Sequence, residues 1–99
     1  MNSKSQQIKN TVVKIDLDKI NSYLQEHSTS RTLKEIVKYS KRILDSDKEE
    51  KVFKLAVDTA YNLDTLINKT NYVKDDKEKK HLSEISRELF EKTIGVKEK

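Results

Sequence analysis

Residues 31–44 read RTLKEIVKYSKRIL. Leu33, Ile36, Val37, Ser40, Ile43 and Leu44 recur at the i, i+3, i+4, i+7 spacing that lines one face of an α-helix. Arg31, Lys34, Lys38, Lys41 and Arg42 fall within about a third of the circumference on the opposite face. A Ser28-Thr29-Ser30 cluster precedes the run, and Thr32-x-x-Glu35 has the form of a capping box. The spacing predicts a helix over 31–45. An apolar stripe this narrow has to be covered by other helices, so the flanking segments are read as its partners.

On the C-terminal side, Ser46-x-x-Glu49 has the form of a second capping box and predicts a helix over 47–68. It carries Val52, Phe53, Ala56, Ala60, Leu63 and Ile67, with Leu55, Val57, Tyr61 and Leu66 widening the stripe. Between Lys54 and Lys69 its only charges are Asp58 and Asp64, which makes it the central helix of the fold. A further helix is predicted over 75–94, with Asp75 as N-cap, Asp76 and Glu78 where the macrodipole favours negative charge, and Leu82, Ile85 and Leu89 as its buried stripe. Gly95, the only glycine, stands where a left-handed C-terminal stop is expected.

The N-terminal segment is the ambiguous one. Val13, Leu17, Ile20 and Leu24 share a helical face, Ile8, Val12 and Ile15 fall on the opposite one, and Val13 to Asp18 alternates like a strand. An isolated strand has no partner in the remainder of the chain, so one helix over 5–26 is expected, with an extra apolar patch at Ile8, Val12 and Ile15. The whole reads as one all-α domain over 1–99. It is expected to be an antiparallel four-helix bundle with connections at 26–31, 45–47 and 68–74.

Composition agrees with narrow helical stripes. Apolar residues make up 33% of the 99 residues and charged residues 38%, with one Gly and no Pro to build sharp turns. Absence of cysteine excludes disulfides, thiolate catalysis and cysteine metal sites. Neither a secretory leader nor a membrane span is expected, because lysines and aspartates interrupt the first eighteen residues and the longest uncharged run is Ile20 to Gln25. Eighteen of the 21 basic residues are lysine, and counting in blocks of twenty to thirty residues spreads the net charge of +4 evenly, so no nucleic-acid partner is expected.

Tests for chemistry fail on residue count. Glu78-x-x-His81 is half of a di-iron signature, but His27, the only other histidine, follows Leu24 at the position where a second Glu would be needed. No metal site is therefore expected, and His81 is read as a boundary residue. Serines lie in caps and helices with no glycine-framed elbow, and a phosphate cradle would need several glycines. The chain is read as a non-enzyme with no cofactor. What remains is surface. The α-helical stripe Arg31/Lys34/Lys38/Lys41/Arg42 suits an acidic protein or anionic headgroups, or is simply a solvated face. Phe90 and Ile94, beside Ser83 and Arg87, suit a partner anchor or the closing of the bundle's end.

Four segments in this order carry a family resemblance: IKNTVVKIDLDKINSYLQEHS, RTLKEIVKYSKRIL, KVFKLAVDTAYNLDTLI and TNYVKDDKEKKHLSEISREL. The chain resembles the immunity proteins against pediocin-like (class IIa) bacteriocins, the enterocin A immunity family. In that family, too, a short loop, a charged run and an L-x-x-I stripe open the fourth helix. The resemblance implies a left-turning antiparallel four-helix bundle in the cytoplasm, peripheral at the inner membrane face, without catalytic residues. It implies protection by engaging the membrane sugar permease of the mannose phosphotransferase system once bacteriocin has bound it. It further implies that the C-terminal half decides which bacteriocin is resisted, here through Asn71, Tyr72, Lys77, Lys80, Ser83, Glu84, Arg87, Phe90 and Ile94. The tail after the fourth helix, Thr93 to Lys99, is shorter than in many members. Two other readings remain open: a small helical DNA-binding regulator or antitoxin, and a homo-oligomer built on Ile8, Val12 and Ile15.

Overall fold

A computed structural model describes residues 3–94, and every regular element among them is helical. There are five helices: α1 (Lys4–Val12), α2 (Leu17–Glu26), α3 (Arg31–Asp45), α4 (Glu49–Lys69) and α5 (Asp76–Ile94). The all-α expectation holds, and the helices predicted over 31–45, 47–68 and 75–94 correspond to α3, α4 and α5 within two residues at each end. Gly95 lies outside the described residues.

The single helix expected over 5–26 is instead two helices. The chain leaves α1 through two tight turns, Lys14 N–H donating to the Thr11 carbonyl and Ile15 N–H to the Val12 carbonyl, both at 3.0 Å. Asp16 then caps α2, its carboxylate accepting from the Lys19 N–H at 3.2 Å. The break resolves the conflict between two apolar faces. A straight helix would bury one face and leave the other in water, whereas the turn lets Ile8, Val12 and Ile15 enter the core together with Ile20. Val13 is left outside, 63% exposed, so the strand-like alternation at 13–18 is the signature of a helix break and not of a strand.

Capping also differs in detail. Ser30, not Thr32, opens α3, its hydroxyl accepting from the Leu33 N–H at 3.2 Å. Ser46 does not start α4. It closes α3, and its hydroxyl accepts from the Lys48 N–H. Lys48 holds the α4 N-cap position without a side-chain hydrogen bond, and Glu49 and Glu50 in the first turn supply the negative charge the helix dipole favours. Asp75 behaves as expected, its carboxylate accepting from the Lys77 N–H at the start of α5.

α4 is the central element, packed along α3 on one side and α5 on the other, with α1 reaching both α4 and α5 and α2 lying on α3. Its buried Val52, Leu55, Ala56, Ala60, Leu63 and Leu66 meet Leu33, Ile36 and Ile43 of α3 and Leu82, Ile85 and Leu89 of α5 in one continuous core. Small residues bring α4 and α5 close together: the Ser86 hydroxyl of α5 lies 3.1 Å from the Ala60 carbonyl of α4. Val73, in the segment between α4 and α5, closes one end of the core.

Candidate functional site

The face of α5 turned away from the core has two flanks, and the structure gives them different tasks. Along one flank four polar side chains grip the N-terminal segment. Glu78 accepts a hydrogen bond from the Tyr23 hydroxyl, and the His81 ring nitrogen Nε2 lies 3.1 Å from the Lys14 carbonyl at the helix break. Glu88 pairs with the Lys14 ammonium at 3.3 Å, and the Lys92 ammonium donates to Thr11 at 2.8 Å. The residues of Glu78-x-x-His81 thus each have a structural partner from the α1–α2 segment. Among the described residues no three His, Asp or Glu side chains gather into a group that would hold a metal ion.

Tyr23 is the one titratable group strongly perturbed here. Burial is the largest cause, and the bond to Glu78 and the negative charges of Glu78, Asp75 and Glu26 add to it. Together they hold the phenol protonated well above the ordinary tyrosine range. The proton on Tyr23 is therefore a structural donor to Glu78, not a labile one.

The other flank faces outward beside α4. Ser83, Arg87 and Phe90, all expected as partner-binding residues, line a depression of about 370 Å³ with Ser86 and Glu91 of α5 and Asp64 of α4. The Phe90 ring meets Tyr61 of α4 edge to face, with centroids 5.3 Å apart. Tyr61 is 61% exposed and Ile94, one turn beyond Phe90, is 57% exposed. The floor is ordered from below: the Ser86 hydroxyl lies 2.9 Å from the Asp64 carboxylate and 3.1 Å from the Ala60 carbonyl, so its proton fixes both helices at this point. The result is the apolar Phe90 ring, braced by Tyr61, with Arg87, Asp64 and Glu91 around the depression. That arrangement suits the side of an amphipathic segment, where an aromatic anchor supplies contact and charges set register.

The remaining expected residues divide. Lys77, Lys80 and Glu84 are exposed along α5. Tyr72 is half-buried and stacks on His27 with ring centroids 3.8 Å apart, tying the connection before α5 to the end of α2. It lies before the start of α5 while Phe90 sits near its other end, a helical span of roughly 20 Å, so Tyr72 and the groove are not one site. Asn71 is exposed beside Tyr72. Asp64, which lines the depression, and Tyr61, which braces Phe90, are not marked as site residues by any sequence signal. Helical spacing places Tyr61 on the stripe of the central helix, and only the pairing of α4 with α5 shows that its ring stands outside. The basic stripe is present as expected: Arg31, Lys34, Lys38, Lys41 and Arg42 are all exposed on α3.

No protein-family model matches the chain, and no curated protein or solved structure is significantly similar to it. No helix among the described residues is long and apolar enough to cross a membrane.

Proposed function

We propose that this protein is an immunity protein against a pediocin-like bacteriocin, acting in the cytoplasm at the inner membrane face. The order of segments along the sequence carries the reading: IKNTVVKIDLDKINSYLQEHS, RTLKEIVKYSKRIL, KVFKLAVDTAYNLDTLI and TNYVKDDKEKKHLSEISREL follow one another as in that family. In this reading the five helices form an antiparallel four-helix bundle whose first position is shared by α1 and α2. The partner is the mannose phosphotransferase permease carrying bound bacteriocin, and the contact surface is the α4–α5 groove. Support for the surface comes from Ser83, Arg87 and Phe90, which the resemblance implied separately and which line one depression together with Asp64. Protection here needs binding alone, because a partner held in a closed complex does not leak.

Co-purification tests this directly. Tagged protein is expected to retain the detergent-solubilised permease only after bacteriocin has been added, and Arg87→Glu combined with Phe90→Ala is expected to abolish retention while circular dichroism shows the variant still folded, at a lower thermal midpoint because the Phe90 ring packs on the core. Retention of the permease without bacteriocin, or by the double variant, contradicts the proposed surface.

A further inference from the structure

The charge of the chain is concentrated where block counting hides it. Residues 31–42 contain five basic side chains and one acidic one, an excess equal to the net +4 of the entire chain, and the remaining residues balance sixteen bases against sixteen acids. The next eight residues, 43–50, hold Asp45, Asp47, Glu49 and Glu50 against Lys48, which is why a count over the whole segment levels out. On the structure the asymmetry becomes a surface. The exposed residues of α3 are Arg31, Lys34, Lys38, Lys41, Arg42, Leu44 and Asp45, and nothing else. None of the five cations takes part in an ion pair or side-chain hydrogen bond among the described residues, where Lys14 to Glu88 is the one ion pair. The single carboxylate within the stretch, Glu35, is half-buried and accepts from the Asn62 side-chain amide at 3.2 Å, so it is held at the α3–α4 seam.

We infer that the outward face of α3 docks the protein on an anionic lipid bilayer through Arg31, Lys34, Lys38, Lys41 and Arg42. Arg31 to Arg42 spans about 16 Å of helix, so the cations lie along a line that can rest on a charged plane. Complementary charge supplies the attraction, and mobile headgroups gather under lysines that need no fixed phosphate geometry. The same surface is poorly built for a duplex. Base-edge readout uses Arg or Lys on guanine and Asn, Gln, Ser or Thr on the other base edges, and between the cations this face presents no amide or hydroxyl to complete such a set. At its C-terminal end the face carries Asp45, while Leu44, 37% exposed, lies off it, beside Val13 and Leu17 at the α1–α2 turn. The inference rests on α3 alone and is independent of the immunity reading and of the α4–α5 groove.

Vesicle co-sedimentation of the full chain tests it. Phosphatidylglycerol-containing vesicles are expected to bind the protein, pure phosphatidylcholine vesicles are not, and binding should vanish as NaCl rises from about 0.05 M to about 0.5 M. Lys34→Glu/Lys38→Glu/Lys41→Glu is expected to lower partitioning at least about tenfold. A control with the same change in net charge, Lys74→Glu/Lys77→Glu/Lys80→Glu, should lower it by less than about threefold. All six positions are exposed, and circular dichroism checks that both variants fold. Equal losses in the two variants would reduce the effect to net charge and overturn the inference. So would absence of binding at low salt, or α3-dependent binding of duplex DNA with none to anionic vesicles. Vesicle binding that persists while protection against bacteriocin is absent would count against the immunity reading and leave this one standing.

Discussion

Ser40 sits on the apolar face of RTLKEIVKYSKRIL and follows that face into the core, where its hydroxyl is fully buried with no hydrogen-bond partner among the described residues. An unpaired buried hydroxyl costs about 1–3 kcal/mol, and alanine removes it while favouring the helix. Ser40→Ala is therefore expected to stabilise the protein by about 1 kcal/mol, raising the midpoint of thermal unfolding by roughly 4–8 °C for a domain of this size. Tyr23 carries the opposite kind of hydroxyl, one whose proton is used. Its folded-state pKa lies above the ordinary value of 10.0, so the stability it contributes is complete below that pH and is lost as pH rises above it. Urea titrations at increasing alkaline pH should show stability falling from about pH 10 upward. In Tyr23→Phe that slope should flatten, at a cost of about 1–2 kcal/mol at neutral pH.

At the scale of elements, the decisive feature is the break between α1 and α2. If Asp16 fixes the start of α2, Asp16→Ala should cost about 1 kcal/mol. Ile15→Ala, which empties the buried position that the turn creates, should cost about 2–5 kcal/mol, and chemical denaturation checks both. The sequence signals for α3, α4 and α5 were strong because each has one apolar face at helical spacing, and this determines where a helix must lie. The N-terminal segment has two such faces, and periodicity alone does not say whether the chain bends to bury both. Asp16 fits an N-cap as well as it fits the polar position of an alternating run, and only the fold decides between the two. The caps of α3 and α4 are ambiguous in sequence for a related reason. Ser30 and Thr32 both satisfy a start pattern, and which hydroxyl reaches a free N–H depends on the turn that precedes them. The partners of Glu78, His81, Glu88 and Lys92 were illegible, because their spacing on α5 says they share a flank and nothing about which segment that flank meets.

At the scale of the molecule, the packing order decides which surfaces are free. Ile8, Val12 and Ile15 are folded into the core, so they offer no face to a second copy. One flank of α5 is spent on α1 and α2, which leaves the flank with Ser83, Arg87, Phe90 and Ile94 beside Tyr61, and the outward face of α3, as the two distinctive surfaces. Arg87 and Ile94 contribute little to the core, so replacing them should separate function from folding: Arg87→Glu with Ile94→Ser should shift the thermal midpoint by no more than a few degrees. The central claim is that the protein protects a cell from a pediocin-like bacteriocin through the α4–α5 surface. The direct measurement is the minimum inhibitory concentration of a panel of such bacteriocins on a sensitive strain expressing the chain. The account predicts a rise of at least about tenfold for one or a few members of the panel, lost in Arg87→Glu/Phe90→Ala at equal protein level. Unchanged killing across the whole panel, with folded protein present in the cells, would contradict it.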